Sequence, residues 1–322
     1  LSTLKAIATV GEYDPVSGYT LTGYPDGNAA WLLDEETIRF SYQSESYATM
    51  SSETYPWEMA NGATFTGSHI HTIDYDREGF ANFLNNDDKA QTIFKKSGTL
   101  FDTVYNVFGD VVVSREEGGR WGNQSLPDGS EVAFHPDQQL TDADFFFQSF
   151  CGSHFEKAHK YSLPAEIGGP GCGFEDDIWL NAEEWKITNM YRGGGQSSAT
   201  IDPNETMGLA SLAVDVRNRV AYTVPALGQT GYEKLLPINP GCSGYVVIVC
   251  AGYLQNQEPA TLKIYIGRKG FGADGTVLNT LDPRIPARDR FLARNGLLYG
   301  KIYGLAVADA DYPVLGIDTP DP

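Results

Sequence analysis

GLASLAVDVRNRVAYTVPALGQTGYEKLLPINPGCSGYVVIVCAGYL, residues 208–254, decides the fold class. Its runs GLASLAVDV, RVAYTVPAL and GYVVIVCAGYL are rich in β-branched and aromatic residues and are parted by Gly, Pro and Asn clusters, the composition of short strands joined by tight turns. ATLKIYIGRKG (260–270) and LLYGKIYGLAVAD (297–309) continue the pattern downstream. Such regular spacing predicts the blades of a β-propeller or the sheets of a sandwich.

Upstream, YPDGNAAWLL and DEETIRFSYQSES alternate apolar and polar residues with a turn between them, which is hairpin text. GATFTGSHIHTIDYD (62–76) reads as one further strand, with His69 and His71 expected on its surface, the alternative being a metal pair at i, i+2 that needs a third ligand. A helical insertion is expected over about 77–105, where Phe80, Phe83 and Leu84, then Ile93 and Phe94, fall at helical spacing. The stretch after it, RWGNQSLPDGSEVAFHPDQQLTDAD, predicts a long surface loop, and NMYRGGGQSSATIDPNET (189–206) a Gly/Ser loop. YPWEM (55–59) offers aromatic rings either to a sugar or to a core. The whole chain, 1–322, reads as a single all-β domain.

Composition narrows the function. The 42 acidic against 23 basic residues give a formal charge of −19, which repels phosphate backbones and anionic membranes, so nucleic acid is not an expected partner. No run of about 18 apolar residues is present, so no membrane span is expected. The chain begins at Leu1, as after removal of a leader or trimming, and Asn123-Gln-Ser and Asn204-Glu-Thr match the glycosylation sequon; both features favour an extracellular setting, with a targeted organelle as the alternative. Four cysteines, 151, 172, 242 and 250, allow three disulfide pairings, among which the local pairs 151–172 and 242–250 would close short loops.

Metal-competent side chains concentrate in FFFQSFCGSHFEKAHKYSLPAEIGGPGCGFEDDIWLNAEEW (145–185), which carries Cys151, His154, His159, Cys172, Glu175, Asp176, Asp177, Glu183 and Glu184. Carboxylates suit hard cations such as calcium; thiolate and imidazole suit transition metals. None of these residues has the spacing of a zinc ribbon or an HExxH helix, so a disulfide-closed loop with solvated acids competes with a metal site.

Several phrases in collinear order resemble the PhoX-type alkaline phosphatase family of secreted β-propeller proteins. GYPDGNAAW (23–31) resembles the family's GVPDGLGAY, SFCGSHFEKA (149–158) its RFCSAD and AFYN, and WLNAEEW (179–185) its strand ending in NGEE. ASLAVDVRNRVAYTVPALGQTGYEKL (210–235), IYIGRK (264–269) and NGLLYGKIYGLAV (295–307) resemble further family strands. The resemblance implies a propeller on which a thiolate and carboxylates hold iron and calcium for phosphoester chemistry. By position it implies Cys151 as the iron-bridging thiolate, Glu183 or Glu184 as a metal carboxylate, Glu45 as the acid of an NHE motif, and Asp26 and Glu233 as further ligands.

Departures from the family fall on its chemistry. The NHE motif is here Gln43-Ser44-Glu45, the GEE motif is Ala182-Glu183-Glu184, and the SWEN segment is Gly231-Tyr232-Glu233-Lys234. The expectation is therefore a non-catalytic structural or interaction protein on a degenerate propeller, retaining calcium at most; the alternative is a calcium- and iron-dependent phosphomonoesterase. Family members also continue with further strands, so the ring is expected to be incomplete or to have few blades, with edges open to self-assembly as a homo-oligomer. Arg268, Lys269, Arg284, Arg288, Arg290 and Arg294 concentrate positive charge near the end of the chain, and a neighbour's Glu175-Asp176-Asp177 is their expected complement.

Overall fold

A computed structural model describes residues 4–45, 57–62, 64–86, 88–106, 109–112, 133–134, 140–141, 145–147, 150–167, 169–184, 190–192, 195–197, 210–228, 231–252 and 262–304. Strands dominate these residues, with two α-helices, so the molecule is all-β as expected. Three sheets carry the architecture, and none closes on itself.

Sheet 1 is an antiparallel meander of β1 (Pro25–Leu32), β2 (Thr37–Ser44), β3 (Ile70–Asp76) and β4 (Phe94–Thr99). The buried cross-strand pair Arg39 and Asp74 pins its centre by a two-point ion pair, each N–H to O distance being 2.7 Å. Sheet 2 runs β6 (Phe150–Glu156), β7 (Ile178–Glu183), β8 (Ser211–Asp215) and β9 (Val220–Thr223). Its far edge is completed by a strand from earlier in the chain, β5 (Thr103–Tyr105), parallel to β9. Sheet 3 is the meander β10 (Tyr232–Ile238), β11 (Tyr245–Gly252), β12 (Lys263–Arg268) and β13 (Gly300–Gly304). The first strands of the three meanders meet: β6 packs against both β1 and β10.

Side-chain alternation on sheet 2 explains this stacking. On β7 Trp179 enters one core, with Phe150, Leu212 and Val214, whereas Leu180 enters another, with Ala213, Tyr232 and Ile248. Every residue of β7 and β8 is buried, as in a strand covered on both faces. A third core lies on the far face of sheet 1, where Leu21, Phe80 and Phe83 cover Tyr42, Ile73 and Tyr75.

The structure revises several sequence expectations. The helical insertion is shorter than 77–105: α1 spans Arg77–Asn85, capped by Asp76 through Gly79 N–H at 2.6 Å, and a 3-10 turn follows at Ala90–Thr92. Residues 94–99 and 103–105 are strands, the first on the edge of sheet 1 and the second on the edge of sheet 2. A second helix, α2 (Ala287–Arg294), stands where the sequence predicts none; Phe291 and Leu292 anchor it in the core between sheets 2 and 3. GATFTGSHIHTIDYD is two strands, 64–67 and β3, and its histidines are buried: His71 bonds Tyr19 Oη at 2.8 Å through Nδ1, stacks on Tyr42 and is held neutral by burial beside His69.

All four cysteines carry free thiols, so neither local disulfide forms. Trp57 of the YPWEM segment is buried, a core role. Within the expected Gly/Ser loop, Met190–Arg192 and Gly195–Ser197 pair as a short hairpin. In the stretch expected to be a surface loop, Ala133–Phe134 and Leu140–Thr141 pair likewise, while 113–132 and both sequons lie outside the described residues. No helix among the described residues is long and apolar enough to cross a membrane.

Candidate metal centre

Three irregularities in strand pairing build the site. The register of β1 against β2 breaks between Pro25 and Asn28, that of β6 against β7 between Cys151 and His154, and that of β10 against β11 between Tyr232 and Lys234. A bulge bends a strand and re-aims a side chain, and each break falls at a ligand-competent residue: Asp26, Cys151 and Glu233. Glu45 and Glu184 come from the residues just past β2 and β7.

The inner strands cross at unusually short range. Gly152 has φ +60°, and a Cβ there would stand 1.3 Å from the Glu233 carbonyl oxygen; at Gly231 it would stand 2.1 Å from the Glu184 carbonyl oxygen. Only glycine permits both approaches.

Five side chains therefore converge. Asp26, Glu45 and Cys151 present one ligand atom each within 4.8 Å of one another, and so do Cys151, Glu184 and Glu233. Cys151 Sγ donates to Asp26 Oδ2 at 3.1 Å, and the same oxygen accepts from Gln43 Nε2 at 2.8 Å and Gly152 N at 3.4 Å. Burial, the bond to Asp26 and the surrounding carboxylates push the Cys151 thiol far above its ordinary range. Burial and then the Asp26 charge raise Glu45. Four carboxylates crowded round a protonated thiol form an anionic hollow whose repulsion a cation removes.

Next to the hollow lies a polar layer. The Ser153 hydroxyl stands between the Gln43 and Asn181 amides, and Trp179 Nε1 donates to Asn181 Oδ1 at 3.3 Å. Lys234 reaches the Ser153 carbonyl. The sequence does not single out these supports, because a lone Asn or Ser carries no pattern.

Of the residues implied by the resemblance, Asp26, Glu45, Cys151, Glu184 and Glu233 are brought together. Glu183 is not: its carboxylate accepts from the Ala210 N–H at 3.1 Å on the β8 side, as strand alternation requires of the neighbour of Glu184. The single mixed site read in 145–185 also divides. His154 and Lys160 hold the buried Glu156, at 2.8 and 2.7 Å, and His159 bonds the Gly171 carbonyl. Cys172 is buried at the Gly169 carbonyl, and Asp177 accepts from the Ala158 N–H.

No known protein family, curated protein or solved structure matches this chain. The geometry itself defines the site.

The expected assembly charges are engaged within the chain. Lys269 pairs with Glu175 at 2.6 Å and Arg294 with Asp176 at 2.6 Å, so two of the three acids assigned to a neighbour are satisfied internally. Arg284 pairs with Asp282, Arg288 with Asp289, Arg290 bonds the Ile285 carbonyl and Arg268 lies 3.9 Å over the Phe271 ring. The reason is local: Arg268 and Lys269 stand at the end of β12 and the other four on α2 and the turn before it, beside acids or carbonyls of nearby sequence, an aromatic ring, or acids of the loop before β7.

Proposed function

We propose that this chain is a cation-binding scaffold of propeller-like build, acting as a structural or interaction protein, in which an ion held by Asp26, Glu45, Cys151, Glu184 and Glu233 ties the three inner strands together. One observation carries the reading: five ligand-competent side chains, from three strands and the ends of two more, meet in two groups that share Cys151. The packing of β6 against β1 and β10 supports the propeller-like arrangement.

The donor set fits a cation. Four carboxylates suit calcium, which takes six to eight oxygen ligands, while the thiolate suits iron or another transition metal. Hydrolysis has less support. Phosphoryl chemistry needs donors aimed at the oxygens where charge develops. Gln43 and Ser44, at the positions of the family's amide and imidazole, are buried, and Gln43 is committed to Asp26 and Ser153. The second reading, a calcium- and iron-dependent phosphomonoesterase, is favoured by the place of Cys151 in both groups, since a shared ligand is what a two-metal centre requires.

Metal analysis of the purified chain and a terbium-luminescence titration test the first reading. At least one tightly held ion per chain is expected, with affinity weakened roughly tenfold or more by Glu45→Gln or Glu184→Gln. A chain that takes up no ion from millimolar calcium or ferric iron overturns it. Turnover of a chromogenic phosphate ester that depends on added metal and is lost in Cys151→Ala would install the second reading in its place.

A further inference from the structure

The three large sheets are layered, and among the described residues only one end of the stack is covered. Core side chains fill the space between sheets 1 and 2 and between sheets 2 and 3, and on the far side of sheet 1 Leu21 and helix α1 cover Tyr42, Ile73 and Tyr75. The outer face of sheet 3 has no such cover. It carries Ile238, Val247 and Ile266 in one cross-strand row and Leu236, Val249, Ile264 and Tyr303 in the next. Leu236, Ile238, Ile266 and Tyr303 are 37 to 49 % exposed, whereas Leu235, Ile248 and Tyr265, on the inner face, are fully buried. We infer that this face is the contact surface of a two-fold dimer, in which sheet 3 of one copy packs on sheet 3 of a second. The inference fills in the interaction-protein part of the reading above and does not depend on the ion.

Three observations make a second copy the occupant. The first is charge. Acids outnumber bases by 42 to 23 in the chain, yet these rows and the two that flank them hold no aspartate or glutamate, and Arg268 and Lys301 give them a polar rim. Two chains of charge −19 repel each other least where acids are missing. The second is area. Side chains of these sizes at such exposures leave on the order of 500 Å² of apolar surface per copy, and two copies together reach the lower bound for a specific interface. The third is the layering itself. The end behind sheet 1 offers no bare sheet, so sheet 3 can meet only another sheet 3, and a contact of that kind closes with two copies. Pairing through the edge of β13 is the weaker contact, because a strand of five residues that carries Lys301 is a blunted edge.

Sedimentation equilibrium of the full chain, with calcium and with EDTA, tests the inference. Twice the chain mass is expected at micromolar concentration in both, with a dissociation constant that does not rise at high salt, since salt screens the repulsion between anionic copies and leaves the apolar contact. Ile238→Glu and Ile266→Glu should each weaken the dimer at least tenfold while the far-ultraviolet circular dichroism and the terbium titration stay unchanged. Ile302→Glu, opposite Tyr265 on the other side of sheet 3, should leave the mass unchanged. A chain that stays a monomer up to its highest soluble concentration overturns the inference and leaves the cation reading standing. An assembly that grows beyond two copies, or a dimer that Ile302→Glu breaks as readily as Ile266→Glu, overturns the face-to-face contact. A dimer silent in the terbium titration overturns the cation reading and leaves this inference standing.

Discussion

Cys151 is the side chain common to both halves of the proposed metal centre, so its replacement separates what carboxylates do from what sulfur does. Cys151→Ser is expected to keep calcium binding within a few-fold, since the remaining oxygens suit that ion, and to abolish thiolate-to-metal absorption on loading with ferric iron or cobalt. An unchanged spectrum would remove the thiol from the centre. Glu156 makes a different residue-scale prediction. Burial opposes its charge, but the bonds from His154 and Lys160 outweigh burial and hold its carboxyl below the usual range. A carboxyl depressed in the folded state contributes stability that is present above the unfolded pKa and lost as pH falls through the folded one. Glu156→Gln should therefore cost about 1–3 kcal/mol in urea unfolding at pH 7, and the deficit should shrink on acidification well below the ordinary Glu value. The candidate ligands were legible residue by residue only through phrases such as PDG and FCGS. Whether Glu183 or Glu184 faces the centre depends on strand alternation at the end of β7, which needs the register against β8.

At the level of strands, the site depends on how closely β6 and β10 approach. Gly152→Ala would drive a methyl group into the Glu233 carbonyl from a left-handed backbone, so a loss of about 4 kcal/mol or more is expected, seen as a melting temperature lower by roughly 10 °C. Ordinary stability in that variant would disprove the close crossing. Strands in 208–270 were readable because two-residue alternation survives burial on both faces: Leu212 and Val214 point one way and Ala213 the other. The helical insertion was overdrawn because Ile93 and Phe94 continue the helical spacing of Phe80 and Phe83 across a chain reversal at Ala90–Thr92. Helix α2 escaped notice because Arg288, Asp289 and Arg290 hide a short apolar stripe, Phe291 and Leu292, that is meaningful only against the core it meets.

Across the whole molecule, cations near the chain end were legible and their partners were not, because ion pairs between 175–176 and 269–294 are set by the docking of α2. Asp176 is held by Arg294 through two N–H bonds and by Asn295 through a third. Arg294→Glu is accordingly expected to lower stability by about 1–2 kcal/mol in urea unfolding and to leave the sedimentation coefficient unchanged. A change in mass with no change in stability would return this arginine to an intermolecular role.

The centre draws Asp26 from near one end of the described chain and Glu233 from towards the other, with Cys151 between them. No fragment that lacks any part of residues 26–233 contains the full ligand set, and bringing it together needs all three sheets docked. An ion that binds only the finished arrangement stabilises it by mass action, about 2.7 kcal/mol at a hundredfold excess over the dissociation constant. Occupancy would then report completed folding, and cation supply during synthesis would govern how much of the newly made chain survives.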